Sequence, residues 1–173
     1  MVKEKKFDFC TSCRKETSYK IIKKTVQKVI KDKSYEFKIA VAVCDECGKE
    51  MDIPGLFDLN IKSIDEQYRQ AEGLISIDDI QKIMDIYNIG KAPLSIALGF
   101  GEITITRYLS GQMPSKKYSD IIKKALSSPN YMIKLLNDNA EKMGETAYQK
   151  AIKAAEEIAG LFCVSDKMLL TIS

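Results

Sequence analysis

Histidine is absent from this 173-residue chain, which removes the commonest general base and every imidazole metal ligand. Tryptophan is absent too. No run of eighteen or more apolar residues occurs, so no segment is expected to span a membrane. The first ten residues, MVKEKKFDFC, are charged and lack an apolar stretch. They do not read as a secretory signal, and a cytoplasmic location is expected. Neither a nucleophile–base pair nor a phosphate-binding glycine loop can be picked out, so the chain is expected not to be an enzyme. Internal repeats and low-complexity segments are missing as well.

What is present suffices for a folded protein. Hydrophobic residues make up 45% and charged residues 29%, enough apolar material for a core. The length suits one large domain or two small ones. The formal net charge of +3 is uneven. Residues 1–50 hold 13 Lys+Arg against 8 Asp+Glu, a balance of +5, and residues 51–173 hold 14 against 16, a balance of −2. A basic first half can offset a negative metal site or lean on nucleic acid or an acidic partner. Solvated lysines on a strand face are the plainer reading.

Tyr35, Phe37, Ile39, Val41 and Val43 recur with a period of two, which predicts a strand. Tyr19–Ile30 is β-branched and lysine-rich, and Lys31-Asp32-Lys33-Ser34 separates the two runs. A β-hairpin follows, although its turn lacks an Asn-Gly or Asp-Gly signature. Met51–Ile64, with Pro54 and Gly55, reads as a connector. Beyond it the pattern is helical. Ser63-Ile-Asp-Glu66 and Ser76-Ile-Asp-Asp79 resemble capping boxes and predict helices at about 64–72 and 77–88. Pro93 suits a first helical turn, Gly99 and Gly111 end short helices, and Ser115 and Ser128-Pro129 start others. A last helix is expected over about 145–159, burying Ala151, Ile152, Ala155, Ile158 and Ala159.

Cys10-Thr-Ser-Cys13 and Cys44-Asp-Glu-Cys47 are two C-x-x-C pairs with 30 residues between them. Each such turn puts two thiolates on one side of a tight loop, fit for two corners of a tetrahedron with metal–sulfur bonds of about 2.3 Å. A hairpin between the pairs brings one turn back to the other. Gly48, directly after Cys47, suits the knuckle because glycine tolerates positive φ. Disulfides are disfavoured in a reducing cytoplasm. One structural Zn2+ on Cys10, Cys13, Cys44 and Cys47 is the expected cofactor, although the same four donors leave iron open. With all four positions filled by protein, no site remains for a substrate water. The fifth cysteine, Cys163, sits among apolar residues and is expected to be a buried, inert thiol.

From Leu94 to Gly111 the chain reads as a short helix, a glycine turn and a second short helix. Ala97 is small where the helices cross, and Ile105 with Tyr108 or Leu109 faces inward. Glu102, Ile103, Thr104, Thr106 and Arg107 are left outside, where they could enter a major groove. The plainer reading is a helical hairpin with Arg107 in a surface ion pair. This segment resembles the Xre/Cro pattern, in which the second helix reads roughly T-I-S-R-Y-E-x-G. The matching residues are Thr104, Ile105, Thr106, Arg107, Tyr108 and Gly111, followed by Pro114-Ser115. Two positions depart: Leu109 replaces an acidic residue, and Gly101 replaces the usual hydroxyl N-cap, which costs cap energy.

Together with the cysteine pairs, residues 7–127 resemble the MqsA (YgiT-type) zinc-finger/helix-turn-helix antitoxins. The string LGFGEITITRYLSGQMPSKKYSDII is similar to longer relatives with an added toxin-neutralising domain of the SocA/Panacea kind. The resemblance implies a homodimeric repressor on a palindromic double-stranded DNA operator, autoregulating a type II toxin–antitoxin operon, with a possible cognate toxin as partner. It also implies that Lys91, Lys116 and Lys117 hold phosphates, while Glu102, Ile103, Thr104 and Arg107 face bases or the groove wall. A zinc-dependent protein-interaction adaptor is the rival function. The expected fold is α+β: a four-cysteine zinc domain over 1–52, a linker and short helix over 53–75, a lambda-repressor-like helix-turn-helix domain over 76–128, and C-terminal helices over 129–173.

Overall fold

The computed structural model describes the backbone of residues 6–169 and side chains through residue 161. The chain is α+β and divides into two compact units between Tyr68 and Arg69. Among the described residues, no helix is long and apolar enough to cross a membrane.

The first unit is built on a four-stranded antiparallel meander, β1 (Lys6–Cys10), β2 (Lys15–Ile30), β3 (Lys33–Cys44) and β4 (Glu50–Met51), in that order. The hairpin expected from the period-two pattern is β2–β3. It pairs without interruption from Tyr19↔Cys44 to Ile30↔Lys33. Its turn is Lys31-Asp32, with φ of 49° and 64°. Positive φ at both central residues is the type I′ pattern, which matches strand twist, and here it is reached without asparagine or glycine.

The helix expected at about 64–72 begins earlier, within the segment assigned to a linker: α1 spans Leu56–Ala71. Ser63 is therefore not its N-cap. Instead the Ser63 hydroxyl and carbonyl both accept from the Gln67 amide one turn on. The chain reverses just before the helix, where the Leu56 N–H donates to the Ile53 carbonyl. α1 lies along the outer edge of β3. The Asn60 side-chain amide exchanges two 2.8 Å hydrogen bonds with the N–H and C=O of Ala40. The Gln67 amide does the same with Lys38, also at 2.8 Å. Edge backbone that would otherwise face water or another strand is thus paired. Tyr68 meets Tyr35 edge-on, with centroids 5.2 Å apart, near the buried Phe37.

The second unit is helical: α2 (Ile77–Ile86), α3 (Lys91–Ala97), α4 (Thr104–Leu109), α5 (Lys116–Ser127), α6 (Pro129–Asp138), a 3-10 turn at Ala140–Lys142, and α7 (Glu145–Leu169). The expected caps are in place. Ser76, Ser115 and Ser128 each accept the backbone N–H three residues on, from Asp79, Tyr118 and Tyr131. Pro129 opens α6, where its missing N–H costs nothing. Ile80, Ile83, Leu94, Ile105, Ile122, Met132, Leu136, Ala151 and Ala155 share one core, so the helices after residue 129 pack with those before it. Each fully buried Ile, Leu or Met there contributes about 1.5–3 kcal/mol. α7 runs past the expected Ala159 to Leu169; Ala151, Ile152 and Ala155 are buried, while Ile158 and Ala159 are half-buried. The Cys163 side chain lies outside the described residues.

Candidate metal centre

β1 delivers Cys10 at its last residue and β3 delivers Cys44 at its last. In register, Cys10 sits opposite Lys15 and Cys44 opposite Tyr19. Lys15, Thr17 and Tyr19 alternate along β2, so both cysteines and Thr17 share one face of the sheet. After each strand the chain turns in the same way. The Arg14 N–H donates to the Cys10 carbonyl at 2.7 Å, and the Gly48 N–H to the Cys44 carbonyl at 3.0 Å. Arg14 and Gly48 both have positive φ, 56° and 71°. Two knuckles of one geometry thus face each other, the first closing without the glycine that eases the second.

The four sulfur atoms lie within 4.8 Å of one another. Cys10 Sγ is 3.7 Å from Cys47 Sγ, and Cys13 Sγ is 3.9 Å from Cys44 Sγ. All four cysteines are free thiols. Metal–sulfur bonds of about 2.3 Å imply tetrahedron edges of about 3.8 Å, so the cluster fits a tetrahedral ion that prefers thiolates. Cys10 and Cys44 are buried, Cys13 half-buried and Cys47 exposed, which leaves one side of the site toward water.

The surroundings favour thiolate at one corner. The buried Thr17 hydroxyl lies 3.3 Å from Cys44 Sγ and, on its other side, 3.9 Å from Met51 Sδ. That hydroxyl, aided by the backbone N–H of Cys47, lowers the Cys44 pKa to about 6. Cys13 is pushed the other way, up to about 12, by the Cys47 thiol it bonds and by burial. Without a cation the cluster keeps a proton on Cys13 while Cys44 ionises; a dication brings all four to thiolate. Cys10 Sγ is also reached by backbone, since the Cys13 N–H donates to it at 3.4 Å. Lys15 pairs with Glu46 at 2.8 Å, Ser18 donates to Asp45 at 2.8 Å, and the Asp45 N–H bonds the Ser18 carbonyl. These contacts brace the second knuckle against β2. Cys10, Ala42, Cys44 and Met51 form a core of their own, too small to hold a fold by burial alone, so a bound ion would carry much of this unit's stability.

Of the other candidate residues, Lys91 opens α3, Glu102 to Arg107 lead into and lie on α4, and Lys116 and Lys117 open α5. Lys91 is exposed at the first position of α3. Glu102, Ile103, Thr106 and Arg107 are exposed and Thr104 half-buried, while Ile105 and Tyr108 are buried. Lys117 is exposed. Lys116, also exposed, is already engaged: its ammonium donates to the Gly73 carbonyl at 2.8 Å and pairs with Asp120 at 3.2 Å. α4 opens at Thr104 with Ile103, not Gly101, at its N-cap and no capping side chain of its own; the acceptor comes from the neighbouring helix. Ser95, fully buried in α3, accepts the Ile105 N–H at 3.0 Å and donates to the Lys91 carbonyl at 3.0 Å.

Sequence reasoning missed Thr17, Ser95 and Arg69. Arg69 is fully buried and donates to the carbonyls of Ile75 and Gln112 at 3.1 and 3.3 Å, with Gly111 at 3.5 Å. Each acts across 6 to 43 residues of chain or through strand register, so no local pattern marks it. Compared with models of known protein families and with curated proteins, the chain matches none.

Proposed function

We propose that the chain is a zinc-bound, sequence-specific DNA-binding repressor in which α3 and α4 form a helix-turn-helix and α4 enters the major groove. The observation that carries this reading is the division of α4. Its inner side, Ile105 and Tyr108, is buried and pinned to α3 through Ser95, while Glu102, Ile103, Thr106 and Arg107 stand in solvent. A rigid helix with an exposed, mixed polar face and one guanidinium is what direct reading of base edges needs. Arg107 donates to a guanine edge or phosphate, and Lys91 and Lys117 hold phosphates. The ion on Cys10, Cys13, Cys44 and Cys47 is structural. By the resemblance to the MqsA-type antitoxins, the protein works in the cytoplasm as a homodimer on a palindromic operator, represses its own operon and binds a cognate toxin.

Fluorescence anisotropy with the chain's own promoter fragment and a scrambled duplex tests the reading. The wild type is expected to prefer the promoter, and Arg107→Ala to lose about 1–3 kcal/mol of that preference. Equal affinity for both duplexes, or none for either, overturns it. The adaptor reading draws on a separate observation: Phe7 and Phe9 on β1 are 63% and 53% exposed, and apolar surface of that kind attracts protein partners.

A further inference from the structure

The hairpin beyond the metal site has surface that the helix-turn-helix reading leaves unused. Lys20, Ile22, Lys24, Val26 and Lys28 alternate along β2 and so share one face of the sheet. Across the register that face continues with Val43, Val41, Ile39, Phe37 and Tyr35 of β3. A row of lysines spaced four residues apart thus runs beside a row of apolar side chains. Residues 20–38 hold seven lysines against two acids, Asp32 and Glu36, a balance of +5. Glu36 sits on the opposite face, where Gln27 holds it. On the lysine face Glu50 pairs with Lys24; among the described residues, Lys20 and Lys28 form no ion pair. Nearly all of β2 from Lys20 to Val29 is exposed, Ile22 to 42% and Val29 to 73%.

We infer that this lysine face is a second, sequence-independent DNA contact, in which Lys20, Lys24 and Lys28 hold backbone phosphates of the duplex. The inference rests on the repressor reading and extends it to the first unit. Charge complementarity selects the occupant. From Lys20 to Lys28 the row spans about 27 Å at about 3.4 Å per residue, with an ammonium group every 13–14 Å or so. Duplex DNA offers a phosphate at about every 1.7 Å of axis over its two strands, so a cationic face laid across it meets phosphates in many registers. An acidic peptide would need carboxylates at one matching spacing.

The test uses the full-length, zinc-loaded chain and anisotropy on the promoter fragment and the scrambled duplex, over about 50–300 mM KCl. The triple variant Lys20→Gln/Lys24→Gln/Lys28→Gln is expected to lower the slope of log affinity against log salt by about 2–3, since each lost phosphate contact removes about 0.9. Affinity for both duplexes falls together, and their ratio stays within about twofold. Arg107→Ala instead lowers the ratio and leaves the slope within about 1 of wild type. Should the triple variant lose its zinc, Lys28→Gln alone, at the far end of the row, is expected to lower the slope by about 0.9. A wild-type slope in the charge variants, or a loss confined to the promoter fragment, overturns this proposal and leaves the repressor reading standing. A wild-type chain that binds no duplex overturns both.

Discussion

Replacing Thr17 by valine removes one hydroxyl and keeps the side-chain shape. The hydroxyl lies 3.3 Å from Cys44 Sγ in a position only 2% exposed, so no water replaces it. In the variant Cys44 keeps its backbone donors and loses the contact that most favours its thiolate. Outer-shell partners of metal ligands are worth about 10–100-fold in metal affinity. One neutral donor to a ligand that keeps others belongs at the lower end, about tenfold, or roughly 1.4 kcal/mol. Zinc affinity is measured by competition with a chromophoric chelator. Thr17→Ser restores the O–H at the cost of a methyl group and should return to within about threefold of wild type. In the cobalt-loaded protein, the sulfur-to-metal charge-transfer band of Thr17→Val should shift, because one thiolate has lost a hydrogen bond. Equal zinc affinity in Thr17→Val and wild type, with an unmoved cobalt band, refutes the reasoning. So would a serine variant as weak as the valine one, because the defect would then be packing.

Zinc affinity should rise with pH. Cys13, raised to about 12, is protonated at neutral pH and must release its proton to bind, whereas Cys44, lowered to about 6, is already ionised. The log of the conditional affinity should therefore climb by at least about 1 per pH unit between roughly pH 6.5 and 8, and steepen below about 6 where Cys44 also holds a proton; a flat profile counts against thiolate ligation. Ser95→Ala leaves the Ile105 N–H buried without its acceptor and should destabilise the helical unit by about 1–3 kcal/mol in urea unfolding followed by helical circular dichroism. An unchanged midpoint would mean that α4 is not held through this serine. Gly48→Ala meets no atom within 4 Å but must keep a φ of 71°, so the knuckle should lose about 1 kcal/mol of metal binding in the same chelator assay; wild-type affinity would mean the turn relaxes freely.

The parts of the fold that could be read in advance are those encoded within a few residues. The spacing of Cys10, Cys13, Cys44 and Cys47 marked two knuckles, and the alternation through Phe37 and Val43 put the second at the end of a strand; β1, which carries the first, has no such alternation long enough to read. Ser76, Ser115 and Ser128 marked helix starts because a cap is a three-residue event. α1 was shortened because its apolar residues, Phe57, Leu59 and Ile61, are exposed and follow no helical stripe. Two amides, Tyr68 and the half-buried Leu56 help hold it to the first unit. The turn at Lys31-Asp32 carried no glycine to announce its positive φ. Ser95 supplies a cap from another helix, which no reading of the residues around Gly101 could foresee. Thr17 becomes a neighbour of Cys44 only through the pairing of β2 with β3.

The amides of Asn60 and Gln67 have a consequence for that pairing. Along a strand, outward-pointing backbone groups alternate with those committed to the partner, so only every second residue can meet an amide from the side. Asn60 and Gln67 accept Ala40 and Lys38, two residues of equal parity. A hairpin closed one step out of phase would offer them the wrong residues and would also turn Cys44 away from Thr17 and Cys10. The two amides therefore work as a proofreading gauge: the helix seats well only on a hairpin whose phase already presents its cysteines to the ion.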